Sequence, residues 1–387
     1  MKRYLILCIS VLFFAQSAEA RKNPYINLDD FAKITYHPFY EIEEVTCYKK
    51  GFPFDLFNQG MIHYFRRRPF NPLTPVTYSV RSYDYLVDDN GSVADFSTIQ
   101  DALDAAVDGD RIYVCPGTYE EKINISKDIE LISLAGPRTT TIDATNLYDG
   151  TVVNLNSSAL IEGFTITGAK ADSICFYGGG IKISGNPAVA SQIYPVVRNN
   201  IIRDNVACKV GAIYLGGAAT GSGETYVTAL IQNNIITDNG AGTSNTGGIG
   251  VNCSKNEDSV IENNVIAYNY SASTNGGVEL TGSDPCTTYV RNNIFYYNDS
   301  VSGRNVITAH GSLVAVVEYN NFFGNTVDYT GGTGNTYYDP TFVNETYFEL
   351  DPSSSCIDAG DPDSSYNDKD GSLNDMGAYG GPEARYR

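Results

Sequence analysis

The sequence predicts an all-β fold, a single-stranded solenoid of the parallel β-helix type. Three features favour it: an asparagine-pair motif recurs about every 30 residues, a glycine-led strand pattern precedes most of its copies, and the strand and turn formers Asn, Thr, Ser, Gly, Ile and Val dominate after residue 140. A repeat of this length is typical of solenoids and propellers. Propeller blades need four strands and about 40 residues, whereas each repeat here holds two or three short strands.

The asparagine motif defines the period. The second asparagine of each pair falls at 200, 234, 264, 293 and 321, so the intervals are 34, 30, 29 and 28 residues. Stacked coils about 4.8 Å apart would bring these positions into register. The copies are VVRNNIIRDN (196–205), LIQNNIITDN (230–239), VIENNVIAYN (260–269), YVRNNIFYYN (289–298) and the weaker VVEYNNFFGN (316–325).

Side-chain parity assigns a role to each asparagine of the pair. Ile266 must face the core, and Asn264 lies two residues earlier, so it points the same way. The first asparagine lies at a bend, where left-handed backbone is tolerated, and the residue before the pair, such as Glu262, is expected to face solvent. Because a buried amide needs partners, we expect a structural ladder formed by Asn200, Asn234, Asn264, Asn293 and Asn321.

The first 20 residues have the pattern of a secretory signal peptide. Lys2 and Arg3 precede an apolar run from Leu5 to Phe14, and Ala18 to Ala20 form a small-residue cleavage pattern. The apolar run is too short to span a bilayer, so we expect a secreted protein, extracellular, periplasmic or on the cell surface, without membrane insertion. The net charge of −19 repels nucleic acid and, unless a divalent cation bridges them, acidic polysaccharides.

Residues 21–84 differ from the rest of the chain. They are rich in Tyr, Phe and Pro, show no clear period, and carry the basic cluster Arg66–Arg68. This composition predicts an irregular N-terminal extension that packs on the main body. A partner-docking arm is the alternative.

Residues 95–110 hold the one convincing helix pattern. Ser97 and Gln100 have the spacing of a capping box. Ile99 and Leu103 share an apolar stripe. The chain that follows reads as a strand, a Pro-Gly turn and a second strand.

The cysteines support the same register. Seven of the eight cysteines lie after the predicted signal peptide. Two pairs are each separated by 33 residues and flank glycine-led strands, which predicts two disulfides between neighbouring coils, Cys175–Cys208 and Cys253–Cys286. A third pair, Cys47–Cys115, would tie the extension to the first coil. The alternative is that Cys47, Cys115 and Cys356 are buried free thiols.

Two segments resemble the pectin-lyase-like superfamily of secreted right-handed parallel β-helix proteins. They are DFSTIQDALDAAVDGDRIYVCPGTYEEKINI (95–125), similar to the start of such domains, and the closing YYDPTFVNETYFELDPSSSCIDAGDPDSSYNDKDGSLNDMGAYGGP (337–382). The resemblance implies a right-handed β-helix over 85–387, with an N-terminal helix that caps it and shields open strand edges. It implies no single activity, because this fold hosts lyases, hydrolases, esterases, epimerases and passive scaffolds.

The catalytic sets of these enzymes are missing from the sequence. AHGS (309–312) is faintly similar to a polygalacturonase motif, but no aspartates surround it, so we interpret His310 as a turn residue. Pectate-lyase chemistry needs a basic residue beside carboxylates that bind calcium. Lys182, Arg203 and Lys209 lie near Asp172 and Asp204 in the sequence. Any β-helix carries such residues on its surface, so they are weak evidence for such a site. No catalytic residue is predicted, and an enzyme, if this is one, would be a polysaccharide lyase or glycoside hydrolase.

The densest carboxylate cluster lies near the C-terminus, around Gly371. Alternating aspartates followed by glycine can wrap a calcium ion, although the spacing is not that of an EF-hand. We expect a structural calcium site there; the alternative is an acidic turn whose side chains cap local backbone. The candidate ligands are Asp361, Asp363, Asp368, Asp370 and Asp375.

The sequence thus favours an exported β-helix protein that binds extracellular polysaccharide or cell-surface glycan along a lateral groove, with tyrosines as stacking platforms. Processing of the bound glycan stays open. A non-catalytic surface or adhesive scaffold and a polysaccharide lyase of unrecognised type are the alternatives. A groove with a basic residue beside clustered carboxylates would favour an enzyme.

Overall fold

A computed structural model describes residues 84–90, 94–170, 175–185, 192–216, 226–242, 246–253, 258–282 and 286–385, and the backbone alone of 42–47, 76–81, 219–220 and 223–224. The chain divides into two compact units, Met1–Ser82 and Tyr83–Arg387. In the first, Ile42–Cys47 pairs with Val76–Arg81 in antiparallel register. Strands so far apart leave no short-range hairpin signal in the sequence. The irregular extension over residues 21–84 stays a prediction. The signal peptide and Arg66–Arg68 lie outside the described residues.

The second unit consists of three long sheets in which every strand pairs in parallel with the next coil. The first sheet contains Tyr85–Val87, Arg111–Val114, Glu130–Ser133, Leu160–Glu162, Val196–Arg198, Leu230–Gln232, Asp258–Glu262, Thr287–Arg291 and Val314–Glu318. The second contains Gly117–Tyr119, Thr140–Asp143, Thr165–Thr167, Ile201–Arg203, Ile235–Thr237, Val265–Ala267, Ile294–Tyr296 and Asn321–Phe323. The third contains Ile123–Ile125, Val153–Leu155, Ile181–Ser184, Ile213–Gly216, Ile249–Cys253, Val278–Gly282 and Ile307–Gly311.

Each coil gives one strand to each sheet in turn, so the predicted parallel β-helix is confirmed. Crossovers between parallel strands are right-handed in nearly all proteins, as the resemblance implies. The short strands at the corners are Val206–Ala207, Gly240–Ala241, Tyr270–Ser271 and Asp299–Ser300 in one sheet, the parallel pair Gln192–Ile193 and Tyr226–Val227, and the antiparallel pair Ala219–Thr220 and Gly223–Glu224. A 3₁₀ turn spans Ser364–Tyr366.

The core is the inside of this coil. Most inward positions of the three sheets are apolar and buried, as at Ile202, Ile236 and Ile266 of the second sheet. The next two coils place Phe295 and Phe322 there, with ring centroids 5.0 Å apart. Burial of these stacked side chains provides the main stabilisation. No helix within the described ranges is long and apolar enough to cross a membrane.

The N-terminal capping helix spans Ile99–Ala105. Its N-cap is Thr98 and not Ser97, because the Thr98 hydroxyl accepts a hydrogen bond from the amide of Asp101. The carboxylate of Glu121, from the first coil, accepts the amides of Ile99 and Gln100 at 2.8 and 2.9 Å. This long-range cap is invisible to a local capping pattern.

The asparagine ladder runs through five coils. In each step the side-chain oxygen of one asparagine accepts both the backbone amide and the side-chain amide of the asparagine in the preceding coil; for Asn234 and Asn264 these distances are 2.9 and 3.0 Å. The side-chain nitrogen also donates to a backbone carbonyl of the preceding coil, from Asn264 to Ile231 at 2.9 Å. The members are Asn200, Asn234, Asn264, Asn293 and Asn320, followed by Asn335.

Asn321 does not belong to this ladder, which corrects the expected set. Strand pairing aligns Arg291 with Glu318 and Ile294 with Asn321. In the last motif the position of Asn293 is therefore taken by Asn320, one residue earlier than predicted. Tyr319 therefore takes the left-handed position, with φ of 52°, and Asn320 takes the buried one. Asn321 instead donates to the Thr336 hydroxyl at 3.0 Å.

A second ladder uses the last asparagine of each motif. Asn269 accepts the backbone and side-chain amides of Asn239 at 3.1 and 2.9 Å. The ladder lies at the other edge of the second sheet, and each member follows a residue with positive φ, such as Asp238 or Tyr268. Its five members are Asn205, Asn239, Asn269, Asn298 and Asn325.

The C-terminal segment, residues 337–385, packs against the outer face of the second sheet. Phe348, Met376 and Ala378 bury there against the outward side chains Ile235 and Val265. The first asparagines of the motif hold its backbone, among them Asn233, which donates to the carbonyl of Gly380 at 2.7 Å. The other first-asparagine contacts are Asn292 with the amide of Asp361, Asn263 with Asn374, and Asn199 with the amide of Arg385.

This segment also overturns the expected solvent exposure of the residue before each pair. Glu162 is 0% exposed, and its two oxygens lie 3.0 Å from Arg198 and Arg385. Glu262 is 7% exposed and lies 2.9 Å from Arg291. Parity correctly points these side chains away from the inner core, but parity cannot reveal a segment that covers them.

Candidate functional site

The outer face of the third sheet carries an unbroken polar surface. Strand pairing stacks two columns of outward residues along it, one column two residues ahead of the other on each strand. The first column is Lys182, Tyr214, Gly250, Glu279 and Thr308, and the second is Ser184, Gly216, Asn252, Thr281 and His310. The inward residues between the columns, such as Leu215 and Val251, belong to the core.

A groove opens on this face where the first column has glycine. It has a volume of about 180 Å³. We call it the third-sheet groove, lined by Tyr177, Tyr214, Gly250, Val251, Asn252, Glu279 and Thr281.

Two tyrosines form one wall of the groove. The ring centroids of Tyr177 and Tyr214 lie 4.6 Å apart, at an interplanar angle of 41°. The Lys209 ammonium lies 4.1 Å from the centroid of Tyr177 and donates to its hydroxyl. Burial raises the pKa of Tyr214, while the neighbouring Asn252 acts in the opposite direction. The phenol therefore stays protonated at neutral pH.

Gly216 is required for this tyrosine to lie where it does. A β-carbon at Gly216 would stand 2.4 Å from the Tyr214 hydroxyl. At Gly250 it would stand 2.7 Å from a methyl group of Val210. Both glycines thus allow close packing of neighbouring side chains on an open sheet face.

The predicted disulfides are confirmed, and they flank the groove. Cys175–Cys208 has a Cα–Cα distance of 5.0 Å; Cys175 is two residues before Tyr177 and Cys208 is one residue before Lys209, so the bond links the two coils at that rim. Cys253–Cys286 has a Cα–Cα distance of 6.4 Å and follows Asn252 at the other end of the strands. Cys115 is disulfide-bonded and so is not a free thiol. The Cys47 side chain lies outside the described residues, and Cys356 is a buried free thiol.

Among the described residues that line the groove, Glu279 is the one that carries a carboxylate. It is 8% exposed, and the Thr274 hydroxyl donates to it over a long 3.5 Å. Burial raises its pKa, while the charges of His310 and Arg304 act in the opposite direction.

A stability measurement over pH can check this environment. A carboxyl whose folded-state pKa is raised contributes stability that is fully present below its unfolded pKa and is lost as pH rises through the folded pKa. We therefore expect Glu279→Gln to gain stability relative to the parent as pH rises through that window. Chemical unfolding of both proteins at several pH values tests this. A difference that is flat with pH would contradict a raised pKa at Glu279.

The residues considered for a lyase do not come together. Arg203 lies on the second sheet, 3.8 Å from Asp204, and both are largely exposed. Lys182 and Lys209 border the third sheet instead, and Asp172 lies outside the described residues. His310 is in the strand Ile307–Gly311 and not in a turn, because it continues the ladder of Thr281.

The C-terminal aspartates cap local backbone. Asp361, Asp363 and Asp370 each accept an amide two residues later, and Asp368 accepts the amides of Asp375 and Gly381. Asp375 accepts the amide of Asp358 at 2.9 Å. Within the described ranges, no three His, Cys, Asp or Glu residues are grouped to hold a metal. The calcium site stays a prediction.

Comparison with known proteins adds the following. No protein-family model and no curated protein matches the chain. Escherichia coli YbhC aligns over 76% of this chain and 88% of its own, with 14% identity and a TM-score of 0.32. A pectin methylesterase from carrot aligns over 67% and 89%, with 12% identity and a TM-score of 0.30. Pectate lyase Pel9A aligns over 77% and 96%, with 15% identity and a TM-score of 0.26.

Similarity at this level carries no argument about activity or ligand. The fold is established instead by the parallel pairing of three sheets over successive coils. By its own sheet topology, the chain is a parallel β-helix.

Proposed function

We propose that this protein is exported and binds a polysaccharide or cell-surface glycan in the third-sheet groove. The observation that carries the proposal is the adjacency of two tyrosine rings, 4.6 Å apart, to the polar side chains Asn252, Glu279 and Thr281. Aromatic rings offer an apolar platform of the size of a sugar ring, and a few convergent polar groups fix orientation. The two disulfides between coils support export, since such bonds persist in oxidising compartments.

Binding is favoured over processing by the composition of the described lining. Glycoside hydrolysis by the common mechanism needs two carboxyl groups on either side of the scissile bond, and this lining contains one, Glu279. The nearby Lys209 contacts the Tyr177 ring and hydroxyl. A lyase would release unsaturated products that absorb in the ultraviolet, and we expect none.

A glycan panel tests the proposal. We expect one class of glycan to bind the purified protein, and Tyr214→Ala to weaken that binding about five- to thirtyfold, because truncating an aromatic anchor at a binding site costs about 1–2 kcal/mol. Tyr214→Phe keeps the ring and should retain most of the affinity. Tyr338→Ala, which removes a 68% exposed tyrosine of the C-terminal segment, is the matched control.

Three results would argue against the groove or against binding. Equal losses in Tyr214→Ala and Tyr338→Ala would place the glycan elsewhere. No binding to any glycan would favour a passive scaffold, and ultraviolet-absorbing products would favour a lyase. Parallel runs with and without a chelator separate any effect of calcium.

A further inference from the structure

Three glutamates are buried among the residues whose side chains are described, and two of them are fully paired. Glu162 lies between Arg198 and Arg385, at 3.0 Å from each. Glu262 lies 2.9 Å from Arg291 and accepts the Gln232 amide at 2.9 Å. This is the usual state of buried charge, because an unpaired buried carboxylate is costly.

Glu279 is the exception. It is as buried as Glu262, at 8% against 7% exposed. Its one hydrogen bond within the described part of the chain is the 3.5 Å contact from Thr274, and no described Lys, Arg or His nitrogen lies within 4.0 Å of it. Unlike the two paired glutamates, it lines a groove. A ligand bound in the groove would therefore supply the partner that the Glu279 carboxylate lacks among the described residues.

A positively charged group of the ligand suits this carboxylate better than a neutral one. A hydroxyl would add one hydrogen bond, whereas an ammonium group would add both a hydrogen bond and the compensating charge, at a site where water screens little. Tyr177 and Tyr214 line the same groove, and aromatic rings attract cations. The net charge of −19 attracts cationic ligands over long distances.

We infer that the glycan of the third-sheet groove contains an amino sugar with a free amine, and that its ammonium group pairs with the Glu279 carboxylate. This assignment rests on the proposed glycan-binding function. It names the ligand class and gives Glu279 the role of selecting it. The charges of His310 and Arg304 act on Glu279 from a distance, and Lys209 donates to the Tyr177 hydroxyl.

Calorimetric titration with three oligosaccharides of equal length and linkage tests the inference: a β-linked glucosamine tetramer, its fully N-acetylated counterpart and the corresponding glucose tetramer. The pH is set so that the amine is charged. We expect the parent to bind the glucosamine tetramer at least tenfold more tightly than either neutral one. Glu279→Gln, which keeps the side-chain volume, should abolish this preference.

Glu120→Gln is the matched control, since it removes the same charge at an exposed position of the first coil. It should keep the full preference for the amine. A preference that survives in Glu279→Gln, or that both variants reduce equally, would overturn the inference and assign the effect to overall charge. Binding of all three tetramers with equal affinity would overturn the amine assignment while leaving glycan binding intact. Failure of every glycan to bind would overturn both.

Discussion

Replacing Asn264 with alanine is expected to lower the free energy of unfolding by about 3–5 kcal/mol. Asn264 is 0% exposed, accepts the amide of Asn234 and donates to the carbonyl of Ile231. The Asn234 amide would be left buried without this partner, at about 1–3 kcal/mol, and the Ile231 carbonyl would lose a hydrogen bond that contributes about 0.5–1.5 kcal/mol. The ladder step to Asn293 would also be reduced to one bond from the backbone. Urea unfolding followed by circular dichroism measures the loss.

Asn124→Ala is the matched control for this change. Asn124 is exposed on the third sheet and accepts one hydrogen bond from Asn156 at 3.0 Å. Exposed substitutions of this kind stay within about 0.5 kcal/mol of the parent. If Asn264→Ala also stayed within about 1 kcal/mol, the ladder would not be the main polar support of the coils.

Replacing Phe348 with alanine is expected to loosen the C-terminal segment from the second sheet. Phe348 is 1% exposed and packs edge-to-face on Phe342, with centroids 5.1 Å apart. Removing a buried phenylalanine costs about 3–5 kcal/mol. Since Phe348 has φ of 55° and alanine also carries a β-carbon, the substitution leaves the backbone strain in place and reports on packing.

Cys356 provides a local readout of this loosening. Its thiol lies in the same apolar cluster, is 0% exposed, and has a pKa raised to about 12 by burial, so it should react slowly in the parent. We expect Phe348→Ala to speed its labelling about a hundredfold or more, because each 1.4 kcal/mol is tenfold in an opening equilibrium. Mass spectrometry of the peptide that contains Cys356 measures the rate.

Tyr338→Ala, in the same segment but 68% exposed, should leave the labelling rate unchanged. A Phe348→Ala variant that labels as slowly as the parent would mean that the segment is held by its polar contacts alone. Those contacts are the row of first asparagines and the pairing of Glu162 with Arg385.

The two ladders explain why the motif is written with three asparagines. The second and the last asparagine brace neighbouring coils at the two edges of the second sheet. The first has a left-handed backbone that turns its side chain toward the C-terminal segment, as in the contact of Asn233 with Gly380. The signal for the second ladder was present in the sequence, because an asparagine closes every copy, five residues after the member of the first ladder.

Sequence alone determined the elements whose cause is local or periodic. The repeat of Asn200, Asn234, Asn264 and Asn293 determined the coil, and the equal spacing of the cysteines determined which two pairs bridge neighbouring coils. Both follow from the constant rise per coil, which puts equally spaced residues in contact. Where one residue was shifted, as at Asn321, the pattern assigned the wrong ladder member, because parity changes with every residue.

Tertiary structure alone decided the parts made by residues far apart in the chain. No period shows that residues 337–385 return along the second sheet, that Glu162 is therefore buried, or that Glu121 caps the helix at Ile99. The third-sheet groove belongs to this class: Tyr177, Tyr214, Asn252 and Glu279 come from four successive coils, and only stacking places them around Gly250. The period of the sequence shows which residues face inward. A site on the outer surface depends instead on which side chains the stacked coils bring together, and on whether a buried charge among them finds a partner.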